Sequence, residues 1–317
     1  MKPNKVVLLV GGVGGAKLAY GLYRVMPPED LTIIVNTGDD FWHYGLRICP
    51  DLDTVMYTLA ELVDKTNGWG VAGDTRNMIE GLRHFGETPW FGLGDKDLAT
   101  HLLRTQMWHS GETLTKITRR LTSSLHISCT ILPMTDTPVA TIFNTVEAGE
   151  LPFQEYFVKH RWQPTVTSLR FDDIENAVVS TSVRSAIENA DTIIIGPSNP
   201  WLSVDPILNI PEMRDLIVAR DVPRIAVTPI IAGDAVKGPA AKLMREWGYP
   251  VSAERVAQHY GDVINGFIHD VADADFDTAK LTDSVVHSVA MDTMMTTYEK
   301  REQLARQILK WTEETYL

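Results

Sequence analysis

Three groups of residues in this sequence have the types and spacing to act together on a phosphorylated ligand. The first is Gly11-Gly12-Val13-Gly14-Gly15-Ala16-Lys17, placed directly after the apolar run Val6 to Val10. Glycines between a buried strand and a helix let backbone amides approach phosphate oxygens, and the helix N-terminus adds positive partial charge. Gly12, Gly14 and Gly15 are therefore predicted phosphate contacts, with Lys17 adding a full charge. Neither common fingerprint fits. Lys17 stands where Gly-x-Gly-x-x-Gly needs its third glycine, and the Gly-Lys-Ser/Thr ending of a P-loop is absent.

The second group is acidic. Asn36-Thr37-Gly38-Asp39-Asp40 follows the apolar run Leu31 to Val35, and Pro50-Asp51-Leu52-Asp53-Thr54 comes soon after. Four carboxylates in so short a stretch repel one another unless a cation or a proton relieves them. Hard Mg²⁺, bound by one or two carboxylates plus ligand phosphates, suits that need better than zinc. Asp39, Asp40, Asp51 and Asp53 are the predicted metal ligands. Singly, each has a plainer reading: Asp39 forms a turn, and Asp51 or Asp53 caps a helix predicted from Thr54 through Val63.

The third group is a pair of loops. Gly196-Pro197-Ser198-Asn199-Pro200 follows the predicted strand Thr192 to Ile195, and Lys237-Gly238-Pro239-Ala240-Ala241-Lys242 opens a helix. Gly196, Ser198, Asn199, Lys237, Gly238 and Lys242 are predicted to hold a nucleotide through amides, hydroxyl and cations. Leu93-Gly94-Asp95-Lys96-Asp97, with Thr100 and His101 beyond it, reads by itself as a capped helix start. The lone histidines read as structural, and no Ser-His-Asp or Cys-His arrangement stands out from spacing.

The elements that must position these groups are largely parallel strands and helices. Val6 to Val10 has no polar alternation, as expected of a strand covered on both faces. A helix from Ala16 to Met26, stopped by Pro27-Pro28, and the strand Leu31 to Val35 complete a βαβ unit. Further strands are predicted at His126 to Leu132, Thr192 to Ile195 and Arg224 to Thr228. Ala99 to Ser124 and Asp292 to Leu317 read as helical, and Pro138 to Arg170 as an inserted hairpin or small subdomain.

Bulk properties exclude several classes. The chain has 317 residues, with 29 Lys and Arg against 41 Asp and Glu, a net charge of −12 that offers no basic surface for nucleic acid or anionic lipid. Cys49 and Cys129 match no zinc or redox spacing, so a reducing, cytoplasmic setting is expected. The Met-Lys-Pro-Asn-Lys start runs into a strand rather than a signal peptide, and no apolar stretch is long enough to span a bilayer.

Taken together, these motifs, with Leu132-Pro133-Met134-Thr135-Asp136 and Asp292-Thr293-Met294-Met295, resemble the 2-phospho-L-lactate transferase family across essentially the whole chain. The resemblance implies a Rossmann-like three-layer α/β/α fold with a mainly parallel sheet and a smaller, largely helical inserted part. It implies one unit over residues 1–317, with a core at 1–60 and 125–270, an insertion at 61–124 and C-terminal helices at 285–317. It also implies a homodimer and a Mg²⁺-dependent reaction of coenzyme F-420 biosynthesis. In that reaction the ribityl hydroxyl of the deazaflavin Fo attacks a guanosine diphosphate-linked three-carbon acid, and GMP is released. On this reading Asp40 and Asp53 hold Mg²⁺ or orient the hydroxyl, Asp53 is the candidate general base, and Asp53 and Lys96 face the deazaflavin. The opening Gly-Gly-Val-Gly-Gly-Ala-Lys resembles the bacterial form, which favours phosphoenolpyruvate over 2-phospho-L-lactate. Two alternatives stay open. Asp39 lies about twenty residues past the glycines, the spacing of a ribose-binding acid in NAD(P)-dependent oxidoreductases, and a non-enzymatic nucleotide-binding regulator would use the same turn.

Overall fold

The computed structural model describes residues 5–273, 275–281, 285 and 287–316. The Met-Lys-Pro-Asn start and Leu317, the last residue of the predicted C-terminal helix, lie outside them. The chain opens with β1 (Val6–Val10), α1 (Val13–Val25), β2 (Leu31–Val35), the hairpin β3 (Phe41–His43) and β4 (Leu46–Ile48), and α2 (Pro50–Leu59). Three helices follow: α3 (Asn77–His84), α4 (Asp95–His109) and α5 (Leu114–Ser124). Next come β5 (Thr130–Pro133) and a three-stranded antiparallel sheet of β6 (Ala140–Thr145), β7 (Gly149–Pro152) and β8 (Val166–Asp172). The second half runs through α6 (Thr181–Glu188), β9 (Thr192–Ile195), α7 (Asp205–Leu208), α8 (Met213–Val218) and β10 (Arg224–Val227). It ends with the short pair β11 (Ile230–Ile231) and β12 (Asp234–Ala235), then α9 (Ala240–Glu246), α10 (Ala253–Tyr260), β13 (Gly266–Asp270), β14 (His287–Met291) and α11 (Tyr298–Tyr316).

Seven strands form one parallel sheet in the order β14-β13-β10-β9-β1-β2-β5. Alternation along β1 shows why it lies at the centre. Val6, Leu8 and Val10 enter the core shared with α1, α2, α5 and α11, whereas Val7 and Leu9 enter the core shared with α6 to α10. Both faces are thus covered, which gives the α/β/α layering and explains a strand with no polar position. The order of strands reverses between β1 and β9, so the crevice at their carboxyl ends is the switch point where ligands of such sheets bind.

Several predicted boundaries change. The seventh strand, β14, falls where C-terminal helix was expected, and α11 starts only at Tyr298. The helical stretch Ala99 to Ser124 is two helices broken near Gly111, whose φ of 83° suits glycine. The expected insertion is not all peripheral: Ile117 and Leu121 of α5 pack into the sheet's core. Helix α2 begins at Pro50, four residues before the predicted Thr54, because proline fits the first helical turn.

Candidate active site

The carboxyl ends of β1, β2, β9 and β10 open into a cavity of about 510 Å³. One end of it is basic. Helix α1 starts at Val13, so Gly14 and Gly15 lie in its first turn, and no side chain caps that turn. Gly12, Gly14 and Lys17 line the cavity there. None of Gly11 to Gly15 has a positive φ; their lack of a side chain serves close approach instead. A Cβ on Gly14 would lie 2.3 Å from the Pro197 carbonyl oxygen, and one on Gly12 2.5 Å from Asp51 Oδ1. The glycines therefore let the loops after β1 and β9 and the start of α2 converge.

The loop after β9 is fixed from within. Ser198 Oγ accepts the Gly11 amide at 3.0 Å, and Asn199 Oδ1 accepts the amides of Trp201 and Leu202 at 3.1 and 3.2 Å. That leaves Asn199 Nδ2, a buried donor without a partner, in a residue that lines the cavity. Burial, with the nearby charges of Arg301 and Lys237, pushes the Lys17 ammonium below its ordinary pKa. Arg301 of α11 was not anticipated from the sequence; it lies 4.5 Å from the centre of the Tyr298 ring and adds to the positive potential. Lys237 and Gly238 line the cavity, and Lys237 Nζ donates to the Asn67 carbonyl.

Acids lie directly beside the glycine turn, and the four aspartates divide into two kinds. Asp40 meets Arg47 (Nη2 to Oδ2, 3.3 Å), and Asp53 is gripped through both oxygens by Arg104, which is only 1% exposed. Asp39 and Asp51 have no such counterion among the described residues. Burial and the neighbouring Asp51 charge push the Asp39 carboxyl well above the usual range. Asp51 rises to about 7, through burial first and against hydrogen bonds from Asn36 and the Gly12 amide. Asp39 Oδ1 is buried without a hydrogen-bond partner. Two carboxylates without a counterion and an orphaned oxygen, beside the glycine turn, fit a hard oxygen-loving cation.

Asp53, Asp97 and His101 also bring one ligand atom each within 4.8 Å of one another. Arg104 occupies Asp53, however, so this trio is better described as a buried network between α2 and α4. His101 Nε2 lies 3.2 Å from Asp97 Oδ2 and its Nδ1 3.7 Å from Asp53 Oδ2, while the Tyr57 hydroxyl lies 2.7 Å from both Asp97 Oδ1 and Thr100 Oγ1. Burial opposes ionisation of Asp97, but the His101 and Tyr57 hydrogen bonds outweigh it and hold the carboxyl below its ordinary range. Spacing carried a signal for this face: Asp97, His101 and Arg104 recur at helical intervals.

Of the residues expected to act, Gly12, Gly14, Lys17, Asp39, Asp51, Asp53, Ser198, Asn199, Lys237 and Gly238 line this cavity. Gly15 and Gly196 stand behind its wall, each packed against Val10. Asp40 lines a different cavity. Lys96 is turned away, its Nζ donating to the Ala72 carbonyl at 3.0 Å. Lys242 departs furthest: its Nζ bonds Glu246, the Tyr156 hydroxyl and the Pro164 carbonyl, an i,i+4 pairing that makes it a structural cation. Sequence reasoning also missed the aromatic lining of Tyr57, Trp69, Phe91 and the stacked pair Phe153 and Phe157.

A parallel sheet reversed at a glycine turn, with lysines and aspartates lining one crevice at the switch point, defines a doubly wound α/β protein. Residues 6–310 match the family described as 2-phospho-L-lactate transferase CofD, and the chain belongs to that family of transferases. It is 38% identical over 307 residues to a 2-phospho-L-lactate transferase of Methanosarcina mazei, covering 96% of this chain and 99% of that one. It is 39% identical to a phosphoenolpyruvate transferase of Streptomyces coelicolor, covering 98% of each, and 42% identical to one of Thermobifida fusca over 86% of this chain and 88% of that one. A crystal structure of a UPF0052 family protein from Bacillus halodurans shares the fold, with a TM-score of 0.65 at 15% identity over 98% of this chain and 99% of its own. Among the described residues no helix is long and apolar enough to cross a membrane.

Proposed function

We propose that this transferase moves a phosphorylated three-carbon acid from its guanosine diphosphate conjugate to the terminal ribityl hydroxyl of the deazaflavin Fo, releasing GMP. The observation that carries the reading is the arrangement of the cavity in a chain of this family. Gly12, Gly14, Lys17 and Lys237 line one cavity with Asp39 and Asp51, which have no arginine partner among the described residues, and with the aromatic rings of Tyr57, Trp69, Phe91, Phe153 and Phe157.

In the reaction the hydroxyl oxygen attacks the phosphorus bearing the acid, a new P–O bond forms, the diphosphate bridge breaks towards GMP, and the hydroxyl proton leaves. Such a displacement needs positioning and charge neutralisation more than a strong nucleophile. Mg²⁺, when bound by Asp39 and Asp51, would supply part of that neutralisation. Lys17, Lys237 and the α1 amides hold the diphosphate, and the donors of Ser198 and Asn199 face the guanosine. Asp53, fixed by Arg104, orients the attacking hydroxyl and accepts its proton. A homodimer belongs to the same reading.

Phosphoenolpyruvate is the favoured three-carbon unit, on the bacterial-type glycine opening. Purified protein is incubated with Fo, Mg²⁺ and the lactyl, enolpyruvyl or glyceryl donor, and GMP and product mass are followed. The enolpyruvyl conjugate is expected to give the fastest product. Tight guanine-nucleotide binding without product from any donor would remove the transferase reading of this chain, and NAD(P)H binding in its place would favour the oxidoreductase.

A further inference from the structure

Two aspartates at the end of β13, Asp270 and Asp273, take no part in the reaction above, yet they tie together two loops that line the main cavity. Asp270 is 3% exposed. Its Oδ2 accepts the Thr293 amide at 2.8 Å and the Thr293 hydroxyl at 2.7 Å, and its Oδ1 accepts the Ala272 amide at 2.8 Å. Asp273 also uses both oxygens: Oδ2 accepts the Asp270 amide at 3.2 Å, and Oδ1 accepts the Ala232 amide at 2.7 Å. The Asp273 amide donates in turn to the Asp270 carbonyl at 3.0 Å. A chain of contacts thus runs from Thr293 through the two aspartates to Ala232.

Each end of that chain is a cavity wall. Thr293-Met294-Met295-Thr296 follows β14, and all four residues line the main cavity. Ala232 lies in the turn between β11 and β12, and Ile231 before it and Val236, Lys237 and Gly238 after β12 line the same cavity. The turn needs support, because Ala232 has a φ of 48°, a left-handed conformation that is unfavourable for a residue with a Cβ. Asp273, accepting from the Ala232 amide, supplies it. Residue type matters too. Both carboxyl groups meet main-chain N–H donors through both oxygens, so an asparagine at either position would set its own NH₂ against one of those donors.

We propose that Asp270 and Asp273 are positioning residues, a clasp that fixes the wall at residues 293–296 and the Lys237 loop relative to one another so that the nucleotide meets a preformed site. The inference rests on the reading of the cavity as a guanine-nucleotide site. Loops already held in place lower the ordering cost of binding. The clasp therefore acts on nucleotide affinity and leaves the chemical step, whose groups lie on α1, α2 and the loop after β2, as it is.

The test is calorimetric titration of GDP into wild type, Asp270→Asn, Asp273→Asn, Thr293→Val and Thr293→Ser, with steady-state kinetics over the donor conjugate. Both asparagine variants are expected to bind GDP roughly tenfold more weakly and to raise the KM for the donor by a similar factor, with kcat within about twofold of wild type. Thr293→Val removes only the hydroxyl and should shift affinity the same way by less, while Thr293→Ser should bind as wild type does. Asp273 is only half-buried, so Asp273→Asn decides the matter if Asp270→Asn does not fold. Wild-type GDP affinity in Asp273→Asn and Thr293→Val, even with a lowered melting temperature, would overturn the proposal, as would a fall in kcat at unchanged KM. Failure of the wild type itself to bind GDP would remove the nucleotide reading and this inference with it, a result told apart because it appears before any substitution.

Discussion

The acids after β2 form two pairs that differ in one respect. Asp40 and Asp53 each meet a buried arginine, whereas Asp39 and Asp51 meet none among the described residues. A buried charge pair fixes geometry at little net gain in stability. Burial raises Asp39, Asp40 and Asp51 alike, and the pair without an arginine is left with a charge that a cation can offset. The contrast divides the cluster into a part that positions and a part that binds, a division that the spacing of the four aspartates does not reveal.

The largest effect should come from breaking a compensated pair. Arg104→Met leaves Asp53 buried without a partner and is expected to cost about 3–5 kcal/mol in denaturant unfolding, whereas the double variant Asp53→Asn/Arg104→Met recovers much of that loss. If the single variant is as stable as wild type, the pair is not the constraint described. Changing the uncompensated pair should act on turnover instead: Asp51→Asn is expected to fold normally and to lower kcat by on the order of 10²-fold or more, with little change in denaturant midpoint.

At the basic pole, Lys17→Ala removes one charge-assisted contact, worth about 1.5–3 kcal/mol, and should weaken guanine-nucleotide affinity by roughly 10- to 100-fold in a binding titration. Lys242→Ala should leave that affinity unchanged, because its ammonium is spent on Glu246 and Tyr156.

A smaller effect is expected from pH. The Asp51 carboxyl, at about 7, and Asp40, at about 6, lie above the ordinary value of 3.8, and Asp39 is raised as well. Folding therefore favours their protonated forms. Their stabilising contribution is complete below about pH 4 and is lost as pH rises through 6 and 7. Metal-free protein should melt lower at pH 8 than at pH 5.5, Asp51→Asn should flatten that slope, and Mg²⁺ should raise the melting temperature more at pH 8. A slope unchanged in Asp51→Asn would place the titration elsewhere.

Much of the sheet and of the glycine turn was legible in the sequence because its physics is local. Continuous apolar runs give β1, β2, β9 and β10, and glycine at a strand end leads to a helix N-terminus. The strands β13 and β14 were not legible, since Gly-Phe-Ile-His-Asp and His-Ser-Val-Ala-Met each carry polar residues at positions that packing alone decides. The same limit hid Arg47, Arg104 and Arg301. Arginine is ordinarily exposed, and only the fold brings Arg104 across from α4 to Asp53, 51 positions earlier in the chain. Lys242 was misplaced for the opposite reason: its helix start suggested an anion site, while the Glu246 one turn on was the better guide.

The division of the acids is tested most directly by calorimetric titration of Mg²⁺ into chelator-treated protein in a fixed buffer. Wild type is compared with Asp39→Asn, Asp51→Asn and the double variant Asp53→Asn/Arg104→Met. The uncompensated pair is predicted to carry the metal, so the first two variants should lose the binding heat and the double variant should keep it. Retention of the heat in Asp39→Asn and Asp51→Asn, with its loss in the double variant, would contradict the account and move the metal to the arginine-paired acid.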